Sequence, residues 1–157
     1  MIRIKSDSRG ETLKIGRLLG RALRQGDIVC LSGELGAGKT VFTKGIATGM
    51  GISQDAIVSP TFILIRQHHQ GRIPLYHFDL YRLKDPQDIL LLGYEEYFYG
   101  GGVTVVEWPD RLKYLIPEKY LEVKITVRGK IQRLFEFKPA GRHYETLAEK
   151  IDAAVRH

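Results

Sequence analysis

The apolar and polar positions at the start of the chain follow strand spacing first and helical spacing next. Residues 1–5 alternate between the two types, which predicts a strand. Ser8 and Glu11 have capping-box spacing, and apolar residues then recur every three or four positions as far as Ala22. The polar segment 25–27 contains a glycine and ends this pattern. We therefore expect a strand followed by an amphipathic helix.

The next two elements enclose a glycine-rich segment. Residues 28–31 form a continuous apolar run, which predicts a buried strand. Residues 39 to about 50 predict a helix that is closed by Gly49 and Gly51. The order strand, glycine-rich loop, helix is the setting in which a phosphate-binding loop occurs.

Turn residues between apolar runs predict two hairpins further along the chain. The first joins residues 62–65 to 72–80 at Gln70-Gly71, and the second joins 121–127 to 131–137 at 128–130.

Three other elements complete the pattern. Asp85-Pro86 predicts a helix start, because an N-cap residue precedes a proline at the first helical position. Residues 103–107 predict a buried strand that ends in an acid, and residues 143–156 predict a terminal helix. Strands alternating with helices predict an α/β fold, and we expect one domain spanning residues 1–157.

The glycine-rich segment Gly33-Glu34-Leu35-Gly36-Ala37-Gly38-Lys39-Thr40 has the full P-loop signature. Glycines allow backbone conformations that turn several N–H groups toward one point, and the dipole of the following helix favours an anion there. Lys39 would reach the β- and γ-phosphates, and the Thr40 hydroxyl would bind Mg²⁺. The predicted ligand is therefore ATP with Mg²⁺, and its predicted contacts are Glu34, Leu35, Gly36, Ala37, Gly38, Lys39, Thr40 and Val41.

Two acids that follow apolar runs are candidates for the chemistry beside this loop. Glu107 ends the predicted strand 103–107, which is the usual place for an acid that serves the Mg²⁺ of a P-loop protein. Asp79 follows a second apolar run, and it competes for that role or orients the attacking water. Either acid could instead cap a loop or pair with a surface arginine, so the division of roles stays open.

Two neighbouring motifs carry weaker signals. Ser59-Pro60-Thr61 has the composition of a switch-like loop near the γ-phosphate, although such a triplet is often only a turn. His77 shares a strand face with Asp79, so a metal pair is conceivable. Without further ligands nearby in sequence, a packed or hydrogen-bonded histidine is the simpler interpretation, and we assign no zinc.

Composition adds the cellular setting. Hydrophobic residues make up 43% of the chain and charged residues 27%, which is ordinary for a soluble globular protein. The single cysteine, Cys30, cannot form an internal disulfide and suits a reducing cytosol. No signal-peptide pattern or run of 18 apolar residues is present. We expect a cytoplasmic protein with no membrane association.

The net charge of +6 is concentrated near the start of the chain. Lys14, Arg17, Arg21 and Arg24 fall on one face of the first predicted helix. We call this set the helix ridge. It could meet nucleic-acid phosphates or an acidic subunit, but a merely solvated face is the simpler interpretation.

Taken together, these motifs resemble the TsaE (YjeE) family of small bacterial ATPases that support threonylcarbamoyladenosine modification of transfer RNA. The resemblance runs from the P-loop to about Arg111. Its specific parts are Gly33 to Thr40, Ser59-Pro60-Thr61-Phe62, His77-Phe78-Asp79-Leu80-Tyr81-Arg82-Leu83, and Glu107-Trp108-Pro109.

The resemblance implies a P-loop NTPase-like three-layer sandwich with a mixed central sheet, Mg²⁺-ATP in the loop, and work in a complex with the TsaB and TsaD subunits. In that family, ATP hydrolysis resets the complex for repeated turnover. Carried over by position, Lys39 holds phosphate, Thr40 and Glu107 serve Mg²⁺, and Asp79 supports hydrolysis. Thr61 then belongs to a switch loop, and Trp108 packs beside the nucleotide or a partner surface. Val41 departs from the second threonine of many members.

Two other functions share these features. A small-molecule or nucleoside kinase would have the P-loop, but the chain lacks an arginine-rich lid. An ATP-binding assembly switch would use nucleotide occupancy, with hydrolysis only incidental. Contact with tRNA would come through the complex, and whether the chain touches RNA directly stays open.

Overall fold

The computed structural model describes residues 1–58 and 64–157. Its strands are β1 (Ile2–Ser6), β2 (Ile28–Ser32), β3 (Ile65–His68), β4 (Leu75–Asp79), β5 (Val103–Glu107), β6 (Tyr120–Val127) and β7 (Arg133–Ala140). Its α-helices are α1 (Arg9–Ala22), α2 (Lys39–Gly49), α3 (Gln87–Leu91), α4 (Tyr94–Phe98) and α5 (Arg142–Arg156). Short 3₁₀ helices cover Gln54–Ala56 and Pro109–Leu115.

The strands form one mixed sheet in the order β1-β7-β6-β2-β5-β4-β3. The central strands β6, β2, β5 and β4 are parallel. Hairpin partners are antiparallel, β3 with β4 at one side and β7 with both β6 and β1 at the other. The predicted α/β fold with a mixed sheet and antiparallel hairpins is therefore confirmed.

Each face of the sheet has its own apolar core, because successive strand residues point to opposite faces. In β2, Val29 and Leu31 pack with α1, α2 and α5, whereas Ile28 and Cys30 pack with α3, α4 and the 3₁₀ helix Pro109–Leu115. The predicted three layers follow from these two cores.

Close packing fixes helix α2, which carries the end of the P-loop, against α1. A Cβ atom on Gly16 would lie 2.7 Å from the Phe42 carbonyl oxygen, and one on Gly45 would lie 2.6 Å from that of Leu13. Only glycine allows the two backbones to approach this closely. The loop at the start of α2 is therefore anchored by a rigid helix pair.

The hairpin bounds differ from those predicted. Strand β7 spans Arg133–Ala140 instead of 131–137, because the side chain of Ile131 is 61% exposed and the Arg128 N–H closes the turn onto the Gln132 carbonyl. Strand β4 begins at Leu75 instead of 72, since Arg72 is tied to α1 through a bond to the Gly20 carbonyl. Strand β3 spans Ile65–His68 instead of the predicted 62–65, and Leu64 lies just before it. Residues 62 and 63 of the predicted strand lie outside the described part of the chain.

Within residues 1–58 and 64–157, every helix is too short or too polar to cross a membrane.

Candidate nucleotide site

The loop between β2 and α2 has the backbone that its glycines predict. Gly36 and Gly38 adopt φ angles of 81° and 104°, which side-chain-bearing residues rarely adopt. The Ala37 N–H donates to the Glu34 carbonyl, and the Ala37 side chain is buried in the core. Glu34, Leu35 and Gly36 are exposed at the tip. The loop is thus anchored at Ala37 and presents its tip to solvent.

Lys39 lies inside this loop. Its side chain is 5% exposed, and its ammonium group donates to the Gly33 and Glu34 carbonyl oxygens at 2.6 and 2.8 Å. Burial lowers the pKa of Lys39, and the carboxylates of Glu107, Asp79 and Asp110 oppose that shift in this order. The ammonium group is therefore a buried cation in the field of several acids.

Thr40 and Val41 occupy the first turn of α2 and are partly buried. Four N–H groups at a helix start have no partner within the helix, and the helix dipole adds positive potential there. The position of Thr40 matches the one at which a P-loop hydroxyl binds Mg²⁺.

The two candidate acids stand next to each other at the carboxyl ends of β4 and β5. Asp79 pairs in register with Glu107 across these parallel strands, and Leu31, just before the loop, pairs with Glu107 on the other side. Parallel strands bring their carboxyl ends to one edge of the sheet, so both acids lie at the edge that carries the P-loop.

Glu107 is held by a histidine. Its Oε2 atom lies 2.5 Å from His77 Nε2, and the side chains of Glu107 and His77 are 4% and 0% exposed. A buried carboxylate is stabilised only if it has such a partner. The interpretation of His77 as a hydrogen-bonded histidine is therefore confirmed.

Asp79 is less constrained. It is partly buried, and its Oδ1 atom accepts a bond of 3.1 Å from the Tyr81 N–H. Burial is the largest cause that raises the pKa of Asp79, and Glu107 also raises it, against the Tyr81 N–H, His77 and Lys39.

Trp108 closes the site over Lys39. Its ring centroid lies 4.3 Å from the Lys39 ammonium, which is within the range of a cation–π interaction. The centroid of the Tyr81 ring lies 5.1 Å from the centroid of the Trp108 ring. Its φ of 62° is rare for a residue other than glycine. Such strain concentrates at functional sites, so the turn after Glu107 is itself a sign of function.

The residues present fit Mg²⁺-ATP. A glycine loop at a helix start, a lysine and a hydroxyl suit a polyphosphate, and nearby carboxylates suit a hard cation. In the described ranges, no three His, Cys, Asp or Glu side chains gather into a metal cluster. Mg²⁺ usually needs only one or two protein ligands because phosphates and water supply the rest.

The predicted site residues 34–41, Asp79, Glu107 and Trp108 thus come together at one edge of the sheet, and their chemical roles stay predictions. Thr61 lies outside the described residues. Arg133 was not predicted from the sequence, and its Nε donates to the Ala37 carbonyl at 2.8 Å. Nothing local could reveal this contact, since the two residues are 96 positions apart.

Comparisons with known proteins identify the family of the chain. The family described as "Threonylcarbamoyl adenosine biosynthesis protein TsaE" matches residues 6–135. A Bacillus subtilis protein named tRNA threonylcarbamoyladenosine biosynthesis protein TsaE is 41% identical over 141 residues, covering 90% of this chain and 87% of its own. A Nostoc protein of the same name is 42% identical over 143 residues, covering 88% and 86%.

The fold has a solved relative as well. The crystal structure of Bacillus subtilis YdiB superposes with a TM-score of 0.82 at 35% identity, over 98% of this chain and 95% of that one. Sequence and fold therefore agree over nearly the whole chain. The chain belongs to the TsaE family of threonylcarbamoyl adenosine biosynthesis proteins.

Proposed function

We propose that this protein is a Mg²⁺-dependent ATPase subunit for threonylcarbamoyl modification of adenosine in tRNA. It acts as one cytoplasmic P-loop domain in complex with TsaB and TsaD, and hydrolysis allows repeated turnover of that complex. The observation that carries the proposal is the buried Lys39, which contacts two loop carbonyls and the Trp108 ring and lies in the field of three carboxylates, Glu107, Asp79 and Asp110.

The loop and Lys39 would bind the polyphosphate. The Lys39 ammonium already lies at the centre of the loop, and moving from the Gly33 and Glu34 carbonyls to phosphate oxygens exchanges neutral acceptors for charged ones. The Trp108 ring limits where the ammonium can go and excludes water from one side of it.

The carboxylates would divide the remaining work. Glu107 is fixed by His77 and would serve the metal together with Thr40. Mg²⁺ bound there would neutralise charge that develops on the phosphates. Asp79 keeps some contact with solvent and would orient the attacking water and accept its proton, a role that suits its raised pKa.

Hydrolysis by the chain alone should be slow. Arg133 contacts the loop, but its Nε bonds to the Ala37 carbonyl and its Nη1 bonds to the Gly129 and Gln132 carbonyls. An arginine supplied to the transferred phosphate is often worth about 10³–10⁵ in rate. We expect a partner subunit to supply such a group or to order the loops around the γ-phosphate.

The test is steady-state phosphate release with Mg²⁺-ATP and no small-molecule acceptor. It is measured for the chain alone and with TsaB, TsaD and tRNA, with Lys39→Ala as the blank. We expect slow release that rises in the complex and vanishes in the variant. Equal rates with and without the partners would refute partner dependence.

Two outcomes would replace the proposal. Phosphorylation of an added acceptor, with ADP release that requires it, would favour a kinase. Full biological activity of a Glu107→Ala or Asp79→Ala variant that binds ATP but cannot hydrolyse it would favour an ATP-binding assembly switch.

A further inference from the structure

A basic cavity lies beside the nucleotide loop and takes no part in the mechanism above. Its volume is about 520 Å³. It is lined by four cationic side chains, Arg3, Lys5, Arg128 and Arg133, and by one carboxylate, Asp7. The excess of positive charge predicts an anionic ligand.

The topology of the sheet places this cavity at the edge that carries the P-loop. Strands β1 and β6 both run antiparallel to β7, and β6 runs parallel to β2. The ends of β1, β6 and β2 therefore lie together with the start of β7. Arg133 joins the two regions directly, because it lines the cavity and donates to the Ala37 carbonyl of the loop.

The cations of the cavity are only partly neutralised by the protein. The Arg3 side chain is 64% exposed and has a weak contact of 3.4 Å with the Glu136 carboxylate. Lys5 and Arg128 are exposed. The Glu11 carboxylate accepts a hydrogen bond from the Asp7 backbone N–H. Exposed ion pairs contribute little to stability, so holding the fold together does not account for this cluster.

Protection of an edge strand explains only half of the cluster. Strand β1 lies at the edge of the sheet, and lysine or arginine on an edge strand discourages pairing with other chains. That reason covers Arg3 and Lys5, which alternate with the core-facing Ile4 and Ser6. It does not cover Arg128 and Arg133, which flank the turn of a different hairpin and converge on the same cavity.

We infer that this cavity binds the phosphate backbone of tRNA directly. A guanidinium group can donate to two phosphate oxygens at once, and a lysine ammonium adds a point charge. A cluster of arginine and lysine side chains therefore suits a row of phosphodiesters. The cations come from strand β1 and from both sides of the turn between β6 and β7, which gives room for more than one phosphate. The inference rests on the family's role in tRNA modification and not on ATP hydrolysis.

The test is the affinity of the full-length chain for an unmodified tRNA transcript, measured by fluorescence anisotropy at several salt concentrations. The cavity variant is Lys5→Glu with Arg128→Glu, which spares Arg133 and its contact with the loop. The matched control is Lys14→Glu with Arg21→Glu. It makes the same change of charge on exposed positions of the helix ridge.

The cavity variant should bind tRNA about tenfold or more weakly, whereas the control should change by less than about threefold. The slope of log affinity against log salt should fall by about 0.7–0.9 for each phosphate that the variant no longer neutralises. Thermal midpoint and the response of Trp108 fluorescence to ATP should match wild type in both variants, which shows that folding and the nucleotide loop are intact.

Three results would overturn the inference. They are no measurable tRNA binding by wild type, equal reductions of affinity in the two variants, and unchanged tRNA binding in a cavity variant that no longer binds TsaB and TsaD. The last result would mean that the cavity binds an acidic surface of a partner protein instead of tRNA. If tRNA binds as expected but no phosphate is released from ATP, the result would contradict the proposed ATPase function and leave the tRNA-binding inference standing.

Discussion

The ends of β4 and β5 stand side by side and hold their acids in opposite ways. Glu107 is buried, and its carboxylate lies 2.5 Å from a buried histidine. Asp79, its partner in register, is only partly buried and accepts one backbone N–H. Two acids at equivalent positions therefore differ in how firmly their side chains are held.

This difference indicates how one edge of a sheet can serve two steps. A metal ligand works best when its position is fixed, and the histidine bonded to the Glu107 carboxylate fixes it. A group that orients water and accepts its proton works best with a pKa nearer the working pH. The fixed acid is thus suited to the metal and the freer acid to the water.

Removal of the histidine should have the largest effect. His77→Ala leaves Glu107 buried without its partner, and breaking a buried pair costs about 3–5 kcal/mol in the free energy of unfolding. Urea denaturation measures this loss. His69→Ala, at an exposed histidine nearby, is the matched control and should cost less than about 0.5 kcal/mol. Similar losses in the two variants would mean that the pair does not hold Glu107.

Glu107→Gln should have the next largest effect, now on hydrolysis. The amide keeps the shape and an acceptor for His77 but removes the charge that would serve the metal. Phosphate release in the complex should fall about 10²–10³-fold. Nucleotide binding in the absence of Mg²⁺, followed by Trp108 fluorescence, should stay within about twofold because the loop and Lys39 make those contacts. A variant with a normal rate would rule out Glu107 as the metal's acid.

Asp79→Asn should lower phosphate release by about 10²-fold, the lower end of what a general base contributes. The amide oxygen can still accept the Tyr81 N–H, so the local backbone should be preserved. The half-saturating Mg²⁺ concentration should not change. If the half-saturating Mg²⁺ concentration changed and the maximal rate did not, Asp79 would be the acid that serves the metal.

The smallest expected effect is on how the stability of the folded protein depends on pH. Because the folded protein raises the pKa of Asp79, its protonated form favours folding, and this contribution is lost as pH rises above the ordinary value of 3.8. Asp79→Asn avoids that loss. Its urea midpoint should therefore match wild type below pH 3.8 and exceed it slightly at neutral pH. A midpoint below wild type at neutral pH would contradict the raised pKa.

Most of the residues that meet at the P-loop edge of the sheet can be predicted from the sequence, because each is marked by a local sequence pattern. The loop glycines, Lys39 and Thr40 are contiguous, and their chemistry depends on being contiguous. Glu107 and Asp79 each end an apolar run, which marks the carboxyl end of a buried strand. The distinctive segments around them carry the family resemblance, which the comparisons confirm.

The contacts that distinguish the acids are not local. His77 lies 30 positions from Glu107, and Arg133 lies 96 positions from the loop carbonyl that it binds. Which strand neighbours which is decided by pairing across the whole chain, and hydrophobic periodicity does not specify it. The basic cavity has the same origin, since its cations come together only when β1 pairs with β7.

The division of roles between the two acids is tested most directly by the affinity of the ATP-loaded protein for Mn²⁺, used as a paramagnetic substitute for Mg²⁺ and followed by electron paramagnetic resonance. Wild type, Asp79→Asn and Glu107→Gln are compared. We predict that Glu107→Gln weakens Mn²⁺ binding about 10–100-fold and that Asp79→Asn leaves it within about twofold. Weakened binding in Asp79→Asn with normal binding in Glu107→Gln would contradict this division.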